Sequence, residues 1–189
     1  MTARVGAGLQ GAVLLAFGRP TGLLLIAVPR EEERRVAARS FWALAVAAPA
    51  FLCLHLIDWA SGGMPPHAAW SLASDTVSAM VGWLGFAVLS HWLAGSIGRA
   101  ALWPRFITAW NWCNVVQYMM LVAAGLPALF GLPDLLIETL WLVALGWALW
   151  LEWYAIRLTL VVSALAAATL VGLDFALGLL LLAVTGSPS

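Results

Sequence analysis

Apolar residues occupy long stretches of this chain, and short polar segments separate the stretches. A helix needs about 20 residues to cross the hydrocarbon core of a bilayer. Glu152 to Arg157 form a polar cluster that alone divides the last two stretches, so we predict a break there, because one helix through both would far exceed the bilayer. The pattern predicts an all-α, polytopic transmembrane bundle of five membrane-spanning helices, over residues 41–59, 77–97, 106–126, 135–151 and 160–184.

The segment before the first span, residues 1–40, is predicted to be cytoplasmic or interfacial. A turn-forming sequence at residues 18–20 interrupts its apolar part. Leu9, Val13 and Phe17 share one helical face, as in a helix that lies in the membrane surface. A signal peptide is the alternative, since a basic residue precedes a short apolar core, but no small-x-small cleavage site follows.

The distribution of arginine predicts the orientation of the bundle. Residues 60–76, residues 127–134 and the short tail at 185–189 contain no basic residue. Positively charged residues near the ends of spans stay on the cytoplasmic side of a membrane. The five spans are therefore predicted to run with the N-terminus inside and the tail outside. All nine basic residues then fall on the inner side: Arg4, Arg19, Arg30, Arg34, Arg35, Arg39, Arg99, Arg105 and Arg157.

Composition excludes a water-soluble protein. The 189 residues are 63% hydrophobic and 10% charged, whereas soluble domains carry about 25% charged residues. Net charge is zero, which argues against nucleic acid as a partner. The lipid bilayer is the expected solvent, and we predict the inner (cytoplasmic) membrane of a bacterium.

Asp174 lies well inside the fifth predicted span. A carboxylate at that depth costs at least about 2.5–3.5 kcal/mol, so it is expected to be protonated, hydrogen-bonded or exposed to a wet cavity. In the third span Asn111, Asn114, Gln117 and Tyr118 lie along one helix face, which must point into the bundle because amides facing lipid would be unsatisfied. We predict an intramembrane polar network of these five residues. It acts either as a proton or cation site or as packing glue between helices.

Small residues recur every fourth position on the fifth span, a pattern typical of close helix–helix interfaces. The face could meet helices of the same chain or of another protein. Its members are Ala164, Ala168, Gly172 and Ala176.

No motif for catalysis, metal or a cofactor is present. The chain has neither HExxH nor GxSxG nor a phosphate-binding loop. His55 and His91 are predicted to differ by about 15 Å in depth, too far apart to share a haem iron. Cys53 and Cys113 also differ in depth and are predicted to be free thiols. We therefore predict no cofactor, no metal and no catalytic site.

The layout resembles the Yip1-domain family of small five-helix membrane proteins, in overall length, in an internal N-terminal segment and in five closely spaced helices. The sequence from Ala109 to Gln117, with Leu173-Asp174 in the last helix, is also similar to small uncharacterised bacterial inner-membrane proteins. The resemblance implies a membrane-organising or adaptor role without catalysis, and it carries over no functional residue.

Two functions follow from these patterns. The first is a non-enzymatic scaffold, assembly factor or accessory subunit that acts through helix–helix contacts, with a membrane-protein partner or as a homo-oligomer. The alternative is a small transporter or proton-coupled permeation unit that uses Asp174 and the polar stripe of the third span.

Overall fold

The computed structural model describes residues 2–185, and the side chains of residues 5–185. The Arg4 side chain and all but the first residue of the predicted tail lie outside these residues. Within the described range all regular structure is helical. The α-helices are α1 (Thr2–Ala16), α2 (Gly22–Ile26), α3 (Arg30–Ser40), α4 (Ala43–Gly62), α5 (Ala68–Ser96), α6 (Trp103–Gly125), α7 (Asp134–Leu160) and α8 (Ala164–Thr185), with 3₁₀ turns at Ala100–Leu102 and Leu126–Phe130.

Five helical segments are long and apolar enough to cross a membrane, which confirms the number of predicted spans. α4 to α8 alternate in direction, as their short connections require. We call the end at which α5 and α7 stop and α6 begins the arginine end, because Arg99, Arg105 and Arg157 lie there. The other end, where α4 and α6 stop, is the opposite end. The five segments are 30–62, 68–96, 100–130, 134–160 and 164–185.

The predicted break between the last two spans is wrong in position. α7 continues through the polar cluster to Leu160, and the chain turns at Val161, whose φ of 53° is left-handed. Ser163 then caps the next helix by accepting a hydrogen bond from the Ala166 amide at 3.2 Å. The cluster does not end α7 because its side chains find partners in the bundle. The indole N–H of Trp153, for example, donates to the Ala164 carbonyl at 3.0 Å.

α5 begins nine residues before the predicted span, at Ala68 instead of residue 77. Small polar residues in its first turns bond to the helix backbone and so remain compatible with it. The Thr76 hydroxyl donates to the Leu72 carbonyl at 2.7 Å, and the Ser78 hydroxyl to the Ser74 carbonyl at 2.9 Å. The extension places Asp75 inside a helix instead of in a loop.

α6 is the central helix of the bundle. It packs against α1, α3, α4 and α7, and residues 106–113 are buried without interruption. α8 packs on α5 and α7. α4 and α5 barely touch each other although they are consecutive. This arrangement leaves space beside α6, between α4, α5 and α8.

α1 and α2 form a helical hairpin that packs on α6 and α7. The two helices meet at Gly11 and Gly22, where a Cβ on Gly22 would collide with the Gly11 carbonyl oxygen. At the tip of the hairpin, the Tyr154 hydroxyl donates to the Gly18 carbonyl at 2.9 Å. The predicted interfacial face is divided: Val13 is 39% and Phe17 78% exposed, whereas Leu9 packs against the core. Residues 5–26 are thus an integral part of the bundle.

Candidate functional site

A cavity of about 530 Å³ lies between α4, α5, α6, α7 and α8. We call it the acidic cleft. Its walls carry carboxyl, imidazole, amide and hydroxyl groups, and no arginine lines it. The polar residues that line it are His55, Asp75, Ser78, Asn114, Gln117, Tyr118, Glu152, Asp174 and Thr185.

Two carboxyl groups face each other in the middle of the bundle. Glu152 of α7 is 5% exposed, and it lines the cleft together with Asp174 of α8. The indole N–H of Trp110 donates to Glu152 Oε1, at 3.2 Å. Two neighbouring carboxyls repel each other when both are ionised, so the pair favours a bound proton or cation. The pair lies about 12–15 Å from the arginine end, at 1.5 Å rise per residue.

A second pair lies nearer the opposite end of the cleft. His55 Nε2 is 3.1 Å from Asp75 Oδ2, and His55 Nδ1 is 3.0 Å from the Phe51 carbonyl oxygen. The His55 ring thus connects the backbone of α4 with the Asp75 carboxyl of α5. By the same count, Asp75 lies about 31 Å from the arginine end, so the two pairs are about 16–19 Å apart along the helix axes.

Amide and hydroxyl groups line the wall between the two pairs. The Asn114 amide donates to the Trp110 carbonyl at 2.9 Å, and the Gln117 amide donates to the Ala148 carbonyl at 2.7 Å. Among the described residues, neither amide oxygen accepts a hydrogen bond, and the Tyr118 hydroxyl has no partner. These oxygens are therefore available to a donor in the cleft.

Asn111, which we predicted to belong to the same network, lies outside the cleft. It is fully buried behind the wall, where its Oδ1 accepts a hydrogen bond from the Trp83 indole at 2.7 Å. Its Nδ2 donates to the Ser40 hydroxyl, also at 2.7 Å. The five predicted residues thus divide into four that line the cleft and one that joins α3, α5 and α6.

Glu152 is the functional residue that sequence reasoning missed. We predicted that Asp174 forms a network with the third span, and the structure places Glu152 of α7 on the same cavity wall. We had placed Glu152 in the connection between the last two spans. Its signal in the sequence is an acid within a largely apolar stretch that is long enough for one continuous helix, as α7 proves to be.

Aromatic rings form the wall of the cleft towards α5 and α6. The Trp83 and Tyr118 rings are parallel within 4°, with centroids 6.2 Å apart. The Trp110 ring meets Trp83 edge-on, with centroids 5.6 Å apart. Aromatic faces attract cations through their quadrupole, so these rings add to the attraction of the carboxyls for positive charge.

Comparison with family models, with curated proteins and with solved structures found no match for this chain. The resemblance to the Yip1-domain family therefore stays a prediction. The geometry of the cleft is therefore the basis on which a function can be proposed.

The predicted packing face of α8 makes no contact in the described part of the chain that would explain its small residues. The buried residues of α8 are Ala167, Leu170 and Val171, which lie beside this face on the helix. No atom lies within 4 Å of a Cβ built on Gly172. The four small residues, Ala164, Ala168, Gly172 and Ala176, are all exposed.

The described residues contain no group of three or more His, Cys, Asp or Glu side chains that could hold a metal ion. Cys113 is buried and Cys53 exposed, and both are free thiols. The chemistry that this site offers is therefore proton and cation binding by paired carboxyls.

Proposed function

We propose that this chain is an integral membrane protein of the cytoplasmic membrane that exchanges a cation for protons in the acidic cleft. Its five long helices span the bilayer with the arginine end in the cytoplasm, as the positive-inside rule favours. The observation that carries the proposal is the Glu152–Asp174 pair, which lies in mid-bundle on the wall of a polar cavity.

Charge explains why this pair suits exchange. Ionised carboxyls at this depth carry a charge that is costly in the membrane. A proton or a bound cation neutralises that charge, so the two compete for the same site. The other titratable groups on the cleft are Tyr118, His55 and Asp75, and among the described residues no arginine there offers a competing positive charge.

The position of the cleft supports access to the carboxyl pair from one side of the membrane at a time. The cleft reaches towards the opposite end, where His55, Asp75 and Thr185 line it. Towards the arginine end, Phe86 and Phe106 are fully buried and pack with ring centroids 6.4 Å apart. This arrangement supports a state that is open to the opposite end, in which release at the arginine end requires the aromatic packing to open.

The test is proton flux in liposomes. We would reconstitute the purified protein with a pH-sensitive dye inside and add tetramethylammonium outside, since a quaternary amine cannot cross as a neutral base. Exchange would raise the internal pH. Asp174→Asn and Glu152→Gln should abolish the rise, whereas Glu138→Gln, at an exposed acid of α7, should keep it. A rise equal to that of protein-free liposomes, or full activity of Asp174→Asn, would disprove the exchange.

Orientation has its own test. Met64 lies in the α4–α5 connection and is 69% exposed, and Ala101 lies exposed at the arginine end. In a background without the native cysteines, a membrane-impermeant maleimide added to whole cells should label Met64→Cys and spare Ala101→Cys. The reverse pattern would invert the proposed topology.

A second candidate function is a scaffold or accessory subunit, in line with the resemblance to adaptor-like five-helix proteins. The exposed small-residue face of α8 favours it, because such faces allow close approach of another helix. Substituting Gly172 and Ala176 by leucine should then abolish co-purification of a stoichiometric partner from mild detergent. Association that survives both substitutions would exclude a role for this face.

A further inference from the structure

A second cavity of about 440 Å³ opens on the side of the bundle, between α4 and α5. It exists because these two helices barely touch. We call it the lateral groove. Alanines of α4 line it, including Ala45 and Ala48, together with the larger apolar side chains of Trp42, Phe51, Met80 and Trp83.

The lateral groove and the acidic cleft share a wall. Ala79, Trp83 and Tyr118 line both cavities. Trp42 is 56% and Met80 49% exposed, so the groove is open at the surface of the bundle that would face lipid. The two cavities are therefore neighbours, and an elongated molecule with one end in each would pass beside these shared side chains.

The chemistry of the two cavities differs in a way that specifies the ligand. Alanine and aromatic side chains dominate the groove, which suits a hydrocarbon chain. The cleft offers the Glu152 and Asp174 carboxyls and the rings of Trp83 and Tyr118, which suit a positive head group. Among the described residues no arginine lines either cavity, so an anionic head group would meet repulsion without compensation.

We infer that the cation exchanged in the cleft is amphiphilic, an ammonium ion with an apolar substituent, and that it reaches the cleft from the bilayer through the lateral groove. The inference rests on the proposed function and adds its substrate class. The apolar substituent lies along α4, and the ammonium group sits beside the aromatic wall within reach of the carboxyl pair.

The experiment compares probes of one head group and different chain length in the same proton-flux assay. Tetramethylammonium and hexyltrimethylammonium differ by five methylenes, and hexyl sulfate has the same chain with the opposite charge. A buried methylene improves binding about fourfold. Hexyltrimethylammonium should therefore half-saturate the flux at a concentration at least tenfold lower than tetramethylammonium, and hexyl sulfate should cause no flux and no inhibition.

Ala45→Trp fills the groove, and Ala48→Trp provides a second variant at the same wall. Both positions are exposed, so neither substitution disturbs a buried contact. Each should raise the half-saturating concentration of hexyltrimethylammonium about tenfold or more, since two excluded methylenes suffice for that change. Tetramethylammonium should be unaffected. Val46→Trp, at a neighbouring exposed position that does not line the groove, is the matched control.

The outcomes separate the two proposals. If the groove variants change both ammonium ions alike, or neither, while Asp174→Asn abolishes flux, the exchange stands and the amphiphilic substrate is wrong. If hexyl sulfate inhibits as well as its cationic counterpart, the head-group assignment is wrong. If Asp174→Asn leaves the flux of both ammonium ions intact, the proposed exchange itself fails.

Discussion

Substituting Asn111 by leucine removes a side chain that joins three helices by hydrogen bonds. The Trp83 indole of α5 donates to Asn111 Oδ1, and Asn111 Nδ2 donates to the Ser40 hydroxyl of α3, both at 2.7 Å. Leucine resembles asparagine in shape and branching, so the substitution leaves little empty volume. Its effect on stability therefore reports mainly the lost hydrogen bonds.

The expected loss of stability can be worked out bond by bond. The Ser40 hydroxyl still donates to the Ala37 carbonyl at 2.7 Å, so losing Asn111 removes one bond worth about 0.6–1 kcal/mol. Trp83 is 6% exposed, and its N–H is left without an acceptor, which costs about 1–3 kcal/mol. The free energy of unfolding should fall by about 2–4 kcal/mol, the sum of these two contributions.

The measurement is reversible unfolding of the purified protein in mixed micelles by increasing denaturing detergent. Asn114→Leu is the matched control, because Asn114 lies one turn further along α6 and donates only to the Trp110 carbonyl of its own helix. That variant should stay within about 0.5 kcal/mol of the wild type. Trp83→Phe, which removes the indole N–H, completes a double-mutant cycle with Asn111→Leu.

The double-mutant cycle tests the hydrogen bond between Trp83 and Asn111 directly. If Trp83 and Asn111 are hydrogen-bonded as described, Trp83→Phe should destabilise the Asn111→Leu background less than the wild type, with a coupling energy of about 1 kcal/mol or more. Additive effects of the two substitutions would contradict the bond. An Asn111→Leu variant no less stable than Asn114→Leu would contradict the structural role of this network.

Three further predictions concern other parts of the bundle. Gly22→Ala should release the α1–α2 hairpin and expose it to limited proteolysis, because the new Cβ would collide with the facing backbone, whereas Gly6→Ala, with no atom within 4 Å, should be as resistant as the wild type. The Glu152→Gln variant should unfold at a denaturant concentration equal to or higher than that of the wild type, because glutamine keeps an acceptor for Trp110 and removes a buried carboxyl. A decrease in the free energy of unfolding of more than about 2 kcal/mol would show that the acid is structural. In detergent, N-ethylmaleimide should modify the exposed thiol of Cys53 within minutes and leave Cys113, which is 1% exposed, unmodified until unfolding, as mass spectrometry of the intact protein would show.

The long helices could be predicted from the sequence because apolarity over about 20 residues is a strong signal that needs no tertiary information. The span predicted at 106–126 corresponds to α6 at 103–125. The break between α7 and α8 could not be placed in this way. A hydropathy pattern treats Glu152 and its polar neighbours as excluded from a membrane helix, whereas in the fold other helices supply their partners.

The polar stripe of the third span shows a finer limit of the same kind. Asn111, Asn114 and Gln117 are spaced three residues apart, so each successive side chain is rotated by about 60° around a helix of 3.6 residues per turn. The spacing correctly indicates a face that points into the bundle. The spacing alone does not predict that Asn111 is packed between helices whereas Asn114, rotated by about 60°, lines a cavity. That difference depends on the positions of α5 and α8.

The two polar networks of this bundle differ in what their removal should do, and that difference separates structure from function. Asn111 is neutral, fully buried and hydrogen-bonded on both sides, so its loss can only weaken the fold. Glu152 and Asp174 are acids at a depth where an ionised group is unfavourable, although neutral amides could make similar hydrogen bonds there. A pair of acids that does not add to stability and lies on a cavity wall is expected where protonation or cation binding is itself the task. The contrast between Asn111→Leu, which should destabilise the protein, and Glu152→Gln, which should not, therefore tests the assignment of the cleft without knowledge of its natural ligand.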